Sequence, residues 1–147
     1  MAYFGEMVHC GSIMKFAKTV FLVAGIYGLI VFLPAYFMEA QTGRDYPPPI
    51  THPEYYYGFI GIGVAWQLAF LVISRDPVRF RPLMLPSIVE KASFFIAAVV
   101  LYLQHRLSSL MLGAAIFDAV LGVLFIASWI ATSGREAVPL PNVTTRG

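Results

Sequence analysis

Residues 107–132, LSSLMLGAAIFDAVLGVLFIASWIAT, decide the fold, because this apolar stretch contains a single formal charge, Asp118, near its middle. The stretch is long enough to cross a bilayer with some tilt. Inserting a carboxylate at the centre of a membrane helix costs about 2.5–3.5 kcal/mol of free energy on insertion scales. A residue with this cost is expected to have a structural or functional role. Ala114 and Gly122 lie on the same helix face as Asp118. Small residues let another helix approach closely, so we expect Asp118 to face helices rather than lipid.

Three further apolar stretches occupy residues 19–38, 55–74 and 83–103. The chain of 147 residues is 59% hydrophobic and only 12% charged, and its mean hydropathy is +0.73. These values are typical of integral membrane proteins. We therefore predict an all-α fold, a four-helix transmembrane bundle. Residues 1–18 form an N-terminal segment, interpreted as a partly ordered tail with an interfacial helix as the alternative, and residues 133–147 form a polar tail.

The connections contain residues that break or begin helices. Gly43 and the run Pro47-Pro48-Pro49 predict a non-helical connection over residues 39–54, extended at the prolines. Ser87 followed by Glu90 matches a capping box, with Pro86 just before it, which favours a helix start there and a lead-in over residues 82–86.

Small residues also recur in the second span. Gly61, Ala65 and Ala69 are spaced every four residues, which predicts a second face for close helix packing. Tyr55-Tyr56-Tyr57 opens this span and is typical of an aromatic belt at the membrane surface.

The distribution of Lys and Arg predicts the orientation. The N-terminal segment, the second connection and the C-terminal tail together have seven such residues, whereas the first and third connections have two. This bias favours cytoplasmic termini under the positive-inside rule. Lys91 lies inside a span and is not counted. The seven are Lys15, Lys18, Arg75, Arg79, Arg81, Arg135 and Arg146, and the two are Arg44 and Arg106.

Other classes of site are disfavoured. The net charge of +2 is small and the basic residues are scattered, which does not indicate a nucleic-acid partner. Cys10 is the only cysteine, so an internal disulfide and a thiolate metal cluster are excluded. We find no Gly-rich phosphate loop, catalytic triad or haem-attachment motif, and we predict no cofactor.

A polar centre is predicted from the very short connection at residues 104–106. Helices joined by so tight a turn are level near their ends, which puts Lys91 at the depth of Asp118, with Glu90 close by. One cation and two acids leave one net negative charge, or none if one acid is protonated. Counting residues from the ends of the other spans places further polar side chains at the same depth. We expect this layer to be able to form hydrogen bonds across all four helices, and its members are Tyr27, Gln67, Glu90, Lys91, Ser93 and Asp118.

Three interpretations of this centre stay open. It is a polar clasp that fixes helix register, or a ligand cavity or proton site, since intramembrane ionisable residues often serve function. In the third, Glu90 only caps its helix and Lys91 only snorkels to the surface.

A second polar group falls in the connections. His52, Glu54 and His105, with Glu39 and Asp45, all lie on the predicted external side. Their side chains are of types that bind metals. The spacing of His52 and Glu54 matches no recognised ligand motif, so solvated loop residues are the preferred interpretation and no metal site is assigned.

Four runs support a resemblance: AGIYGLIVFLPAYF (24–37), HPEYYYGFIG (52–61), WQLAFLVISRDPVRFRPLMLP (66–86) and EKASF (90–94). They resemble a family of small uncharacterised bacterial membrane proteins with four spans. In size and span number the chain is also similar to DoxX-like four-helix proteins, some of which accompany thiosulfate:quinone oxidoreductase. The resemblance implies architecture only, and no residue role is transferred from it. We expect a multi-pass protein of a bacterial inner membrane with both termini cytoplasmic.

The sequence favours a non-catalytic membrane protein: an accessory or assembly subunit, or a binder of a lipophilic ligand. The first alternative is a small membrane enzyme or redox-associated protein acting on a quinone or lipid through Glu90, Lys91 or Asp118. The second is an ion or proton pathway. The expected partners are membrane lipids and either other membrane subunits or further copies of the chain. An elongated apolar cavity ending at Asp118 would favour ligand binding, and a filled centre would favour a subunit.

Overall fold

The structure is a computed structural model that describes the backbone of residues 2–134 and the side chains of residues 12–134. Its helices are α1 (Ala2–Ala35), α2 (Glu39–Asp45), α3 (Pro53–Arg75), α4 (Arg81–Leu103) and α5 (Ser109–Ala131). No strand occurs within residues 2–134. Almost all of the predicted polar tail, from Arg135 onward, lies outside the described residues, as do the side chains of His9 and Cys10.

Four of these helices are long and apolar enough to cross a membrane: Ser12–Ala35 within α1, and the whole of α3, α4 and α5. Only 22% to 33% of each span is buried inside the bundle. Large apolar side chains such as Ile30, which is 68% exposed, cover the remaining surface. Exposed apolar area of this extent needs lipid around it. The protein is therefore an all-α, multi-pass membrane protein built as a four-helix bundle.

The spans form two antiparallel pairs. α1 packs along α3 and α4 packs along α5, while α1 and α5 join the pairs and α3 touches α4 only slightly. The bundle thus has two ends. We call the end that holds residues 36–52 and 104–108 the turn end. The end that holds residues 76–80 between α3 and α4, flanked by Arg75 and Arg81, is the arginine end.

An aromatic cluster of Phe21, Phe70 and Phe125 fills the bundle toward the arginine end. The rings of Phe21 and Phe125 stack with their centroids 4.2 Å apart. The ring of Phe70 meets that of Phe125 edge-on at 5.0 Å. All three side chains are fully buried. Such contacts add about 0.5–1.5 kcal/mol per pair beyond burial of area, so this half of the bundle is tightly packed.

Glycines allow the close approach of α1 and α3. A Cβ atom added at Gly25 would lie 2.8 Å from Cδ2 of Leu71 and 3.0 Å from the carbonyl oxygen of Gln67. One added at Gly63 would lie 2.6 Å from the ring of Phe32. The face predicted from Gly61, Ala65 and Ala69 is wrong, because Ala65 is exposed and the closest approach in α3 is at Gly63. Spacing alone did not tell which side of α3 faces its neighbour.

The first helix is longer than the predicted span. Its backbone is helical from Ala2, so residues 2–18, interpreted from the sequence as a partly ordered tail, continue directly into the span. No proline interrupts this segment, and Pro34 falls only in the last turn.

The connection between α1 and α3 contains a helix that the sequence interpretation missed. Glu39–Asp45 is helical, with Glu39 in the first turn, where an acid is favourable. The prediction of a wholly non-helical connection is therefore wrong. The helix stops at Tyr46, because a residue that precedes proline is disfavoured in the α conformation. Tyrosines tie the connection to the bundle: the hydroxyl of Tyr56 donates to the carbonyl of Ala35 at 2.8 Å, and that of Tyr57 donates to Glu39 at 2.8 Å.

The predicted capping box at Ser87 and Glu90 is also wrong. α4 begins at Arg81, and Pro82 occupies the first turn, where a missing N–H costs little. Pro86 lies inside the helix, which membrane helices tolerate. The hydroxyl of Ser87 donates to the carbonyl of Leu83 at 2.7 Å rather than capping a helix start.

Candidate functional site

The α4–α5 hairpin places the polar centre. Its turn is compact: His105 has a φ of 56°, and the backbone N–H of Arg106 donates to the carbonyl of Leu101 at 2.9 Å. Ser108 caps α5 by accepting a hydrogen bond from the N–H of Met111 at 3.3 Å. Because α4 ends and α5 begins at this turn, the depths of their residues are fixed relative to each other. Lys91 and Asp118 consequently lie level.

The predicted contact between Lys91 and Asp118 is present. Nζ of Lys91 donates to Oδ1 of Asp118 at 3.0 Å and to Oδ2 at 3.2 Å. Gly122, one turn beyond Asp118, lies against Lys91, since a Cβ atom added there would be 3.3 Å from the Cβ of Lys91. The small face around Asp118 therefore does admit α4, as the sequence predicts. Ala114, on the same face, is exposed and lines a cavity described below.

Glu90 completes an ion cluster, which we define as Glu90, Lys91 and Asp118. Nζ of Lys91 donates to Oε1 of Glu90 at 3.4 Å. Oε2 of Glu90 lies 3.3 Å from the same nitrogen, yet this buried atom accepts no hydrogen bond. The side chains of Glu90 and Asp118 are 23% and 19% exposed, whereas that of Lys91 is 6% exposed. The lysine is therefore enclosed, and the two acids form the accessible part of the cluster.

A cavity of about 500 Å³ lies between the four spans and reaches the ion cluster. Its volume is in the range of sites for drug-sized ligands. Most of its lining is apolar, with aromatic rings from every span. These rings belong to Tyr27, Phe32, Phe59, Trp66, Phe94 and Phe117. Among the described residues that line it, the charged ones are Glu90, Lys91 and Asp118. The cavity is thus an apolar chamber with one charged region.

The cavity is closed toward the arginine end and has an opening between α3 and α4. The aromatic cluster of Phe21, Phe70 and Phe125 fills the bundle just beyond the ion cluster, and Nζ of Lys91 lies 5.4 Å from the centroid of the Phe70 ring. On the open side, Ile62 and Phe94 line the cavity and are 65% and 39% exposed. Both residues lie near the middle of their helices, where α3 and α4 barely touch. The opening therefore faces the hydrocarbon region of the membrane.

The structure brings all six predicted polar residues to the cavity lining, but it does not connect all of them. Gln67 is buried, lies across Gly28, and donates to the carbonyl of Gly63 at 3.2 Å. The hydroxyl of Ser93 donates to the carbonyl of Glu90 at 2.9 Å. Tyr27 packs against Phe117, with ring centroids 4.8 Å apart. The predicted hydrogen-bonded layer across four helices is therefore reduced to the ion cluster of α4 and α5.

The polar residues of the connections do not assemble. His52 pairs with Glu54 at 3.0 Å, and both side chains are exposed. His105 is exposed in the α4–α5 turn. Within the part of the chain that the structure describes, no three His, Cys, Asp or Glu residues lie together as metal ligands would.

Apart from Tyr27, the aromatic cluster and the aromatic cavity walls were not among the predicted site residues, which were chosen for their ability to hydrogen-bond. The count of residues from the helix ends would have found part of them. Counting residues from Val78 and from His105 puts Phe70 and Phe125 level with Pro86 and Leu85. The open side had no such signal, because it depends on how far α3 and α4 diverge.

Comparisons with family models, curated proteins and solved structures find no match for this chain. The site is accordingly interpreted from its own geometry. That geometry offers an apolar chamber, an opening toward lipid and a charged cluster beside a closed end.

Proposed function

We propose that this protein is a non-catalytic membrane protein that binds a single amphipathic, lipophilic molecule in the cavity between its four spans. The observation that supports the proposal is the apolar cavity of about 500 Å³ that reaches Asp118, Lys91 and Glu90. Its apolar walls suit a chain or ring system, and the ion cluster suits a polar head group. Small-molecule sites commonly combine a mostly apolar pocket with a few placed polar groups.

A second function, a membrane enzyme acting on a quinone or lipid, is favoured by one observation. Glu90, Lys91 and Asp118 are in direct contact beside the cavity, so a proton has a short path among them. General acid–base chemistry needs such a group within reach of the substrate. An accessory or assembly subunit is a weaker proposal, because a filled interior would suit that role better. An ion or proton pathway ranks last, because the aromatic cluster blocks the bundle toward the arginine end.

Ligand binding is testable through Trp66, which lines the cavity. The other tryptophan, Trp129, lies beside Arg81 at the arginine end, 4.4 Å from its guanidinium. In a Trp129→Phe background the fluorescence reports Trp66 alone. In nanodiscs we expect 12-bromododecanol to quench the Trp66 fluorescence to a saturating level, because the bromine of a bound molecule would lie close to the indole ring.

A matched pair of variants controls for quenching from the surrounding lipid. Ala114→Phe narrows the cavity and should weaken binding by roughly tenfold or more, given the 1–3 kcal/mol usual for overfilling a packed site. Gly113→Phe adds the same ring where a Cβ meets nothing within 4 Å, and it should leave the quenching curve unchanged. Quenching that rises linearly, or equally in both variants, would contradict a site in the cavity.

We further infer a bacterial inner-membrane location with both termini in the cytoplasm, supported by the distribution of Lys and Arg and by the resemblance noted above. On a Cys10→Ser background, an impermeant thiol reagent added outside cells should label a cysteine at Thr51 and spare one at Arg79. Both positions are exposed, so access is governed by the membrane. Labelling at position 79 alone would reverse the orientation.

A further inference from the structure

The charges that line the cavity do not balance. Glu90 and Asp118 each bring one negative charge in the ionised state, and Lys91 brings one positive charge. Every other Lys or Arg among the described residues lies outside the cavity lining. A net negative charge in a low-dielectric region is unfavourable unless a proton or a bound cation compensates it. The imbalance therefore favours either a proton on one acid or a cationic head group that takes the place of that proton.

The hydrogen-bonding capacity of the ion cluster points the same way. Nζ of Lys91 directs its donors to Asp118 and Glu90, so it is already occupied. The acids are the more exposed members of the cluster, and a carboxylate has about four acceptor sites, more than the hydrogen bonds that each receives from Lys91. The unused capacity is therefore that of an acceptor. A head group that donates hydrogen bonds would match it, and one that only accepts them would not.

The aromatic walls add a third favourable element. Rings of Tyr27, Trp66 and Phe94 line the cavity near the spans' midpoints. Aromatic faces attract cations by about 0.5–2 kcal/mol when the cation is partly desolvated. A site that combines carboxylates with aromatic rings therefore suits a ligand with an ammonium head group better than one with a carboxylate or phosphate head group.

We propose that the cavity selects amphiphiles with a protonated amine head group, which lies against Glu90 and Asp118 while the apolar part occupies the chamber. This inference rests on the proposed ligand-binding function and names its ligand class. The shared chemistry is that of an alkylammonium group, whether it belongs to an amine-bearing membrane lipid or to a lipophilic amine that enters from the membrane.

The test is competition against 12-bromododecanol in the Trp129→Phe protein, with partition into protein-free nanodiscs subtracted. The competitors share a twelve-carbon chain and differ in head group: dodecylammonium, dodecyltrimethylammonium, dodecanol and dodecanoate. We expect dodecylammonium to bind roughly ten- to a hundredfold more tightly than dodecanol, since hydrogen bonds to charged groups contribute about 1.5–3 kcal/mol. Dodecyltrimethylammonium, which keeps the charge but lacks donors, should fall between them, and dodecanoate should bind least.

Glu90→Gln removes one acid and keeps the side-chain size. It should lower the ratio of dodecylammonium to dodecanol affinity to about threefold or less, because the remaining Lys91–Asp118 pair is neutral. Glu54→Gln is the matched control, since Glu54 is an exposed acid that pairs with His52 far from the cavity, and it should preserve the ratio. The ranking of head groups in the unaltered site needs no variant, so the test stands even if Glu90→Gln does not fold.

The outcomes separate the two proposals. Saturable binding with equal affinity for all head groups, or with a preference for dodecanoate, would overturn the amine inference and leave the ligand-binding function standing. No saturable quenching by 12-bromododecanol would overturn the function, and the inference with it. Repeating the competition in nanodiscs that contain phosphatidylethanolamine identifies the source: weaker apparent binding of dodecylammonium there indicates an amine lipid, and unchanged binding indicates a lipophilic amine.

Discussion

Lys91→Met is expected to lower the free energy of unfolding by about 3–5 kcal/mol, the usual cost of breaking a buried ion pair from one side. The substitution removes the only cation of the ion cluster and leaves Glu90 and Asp118 facing each other's charge. Asp118→Leu should cost less, because Glu90 stays within 3.4 Å of Nζ and keeps the lysine paired. Denaturant unfolding in detergent micelles measures both. This asymmetry follows from the position of Glu90.

The double variant Lys91→Met/Asp118→Leu completes a thermodynamic cycle. It should be less unstable than the sum of the single variants, with a coupling of about 0.5–3 kcal/mol. Lys15→Met, an exposed lysine near the start of the first span, is the control and should change stability by less than about 0.5 kcal/mol. Strict additivity would show that the two side chains do not stabilise each other. A stable double variant in which 12-bromododecanol no longer quenches the fluorescence of Trp66 assigns the cluster to ligand binding.

Gly25→Ala is expected to destabilise the bundle by about 1–3 kcal/mol, through overpacking between α1 and α3. The added methyl group would lie 2.8 Å from a side-chain carbon of Leu71, which can rotate, and 3.0 Å from the backbone carbonyl of Gln67, which cannot. The two helices must therefore move apart. The effect is measurable as a lower Tm in detergent.

Gly58→Ala is the control for the same change of residue. It lies in α3, where an added Cβ meets nothing within 4 Å, so only the helix propensity changes. Alanine is the better helix former by about 0.8–1.0 kcal/mol in soluble hosts, and Tm should stay constant or rise. Equal losses at both positions would mean that close packing at Gly25 does not stabilise the bundle.

The sequence was sufficient to predict the four spans and the equal depth of Lys91 and Asp118 in the bundle, for one physical reason. Both follow from distances along the chain: span length is fixed by the bilayer, and depth is fixed by a tight turn. The interpretation failed where rotation about a helix axis mattered. Ala65 and Gly63 are two residues apart in α3, yet one is exposed and the other packs on Phe32. Period and spacing alone do not reveal that rotation.

Helix ends were harder to predict than helices. Two prolines compete for the start of α4, and both satisfy the local rule for a first turn. Pro82 lies there and Pro86 lies within the helix, because a membrane-embedded segment gains hydrogen bonds by extending its helix. The proline run at residues 47–49 was given too much weight as well, since it stops a helix at Tyr46 but says nothing about the helical residues before it.

The cavity itself was beyond the sequence. It lies beside α3 and α4, which are joined at the arginine end but touch each other only slightly, a property of the whole assembly rather than of either helix. The residue types around it gave a hint, with aromatic residues making up 15% of the chain. Large rings on every span are difficult to pack without gaps, but the place of the gap depends on the helix crossing angles.

The aromatic cluster of Phe21, Phe70 and Phe125 has a consequence for access to the cavity. Because it closes the cavity toward the arginine end, a molecule bound there as proposed would reach the cavity from the rest of its surface, which includes the gap between α3 and α4. Its occupancy would then follow its abundance in the surrounding membrane. In this conformation the closed end leaves such a molecule no continuous route along the bundle to the arginine end.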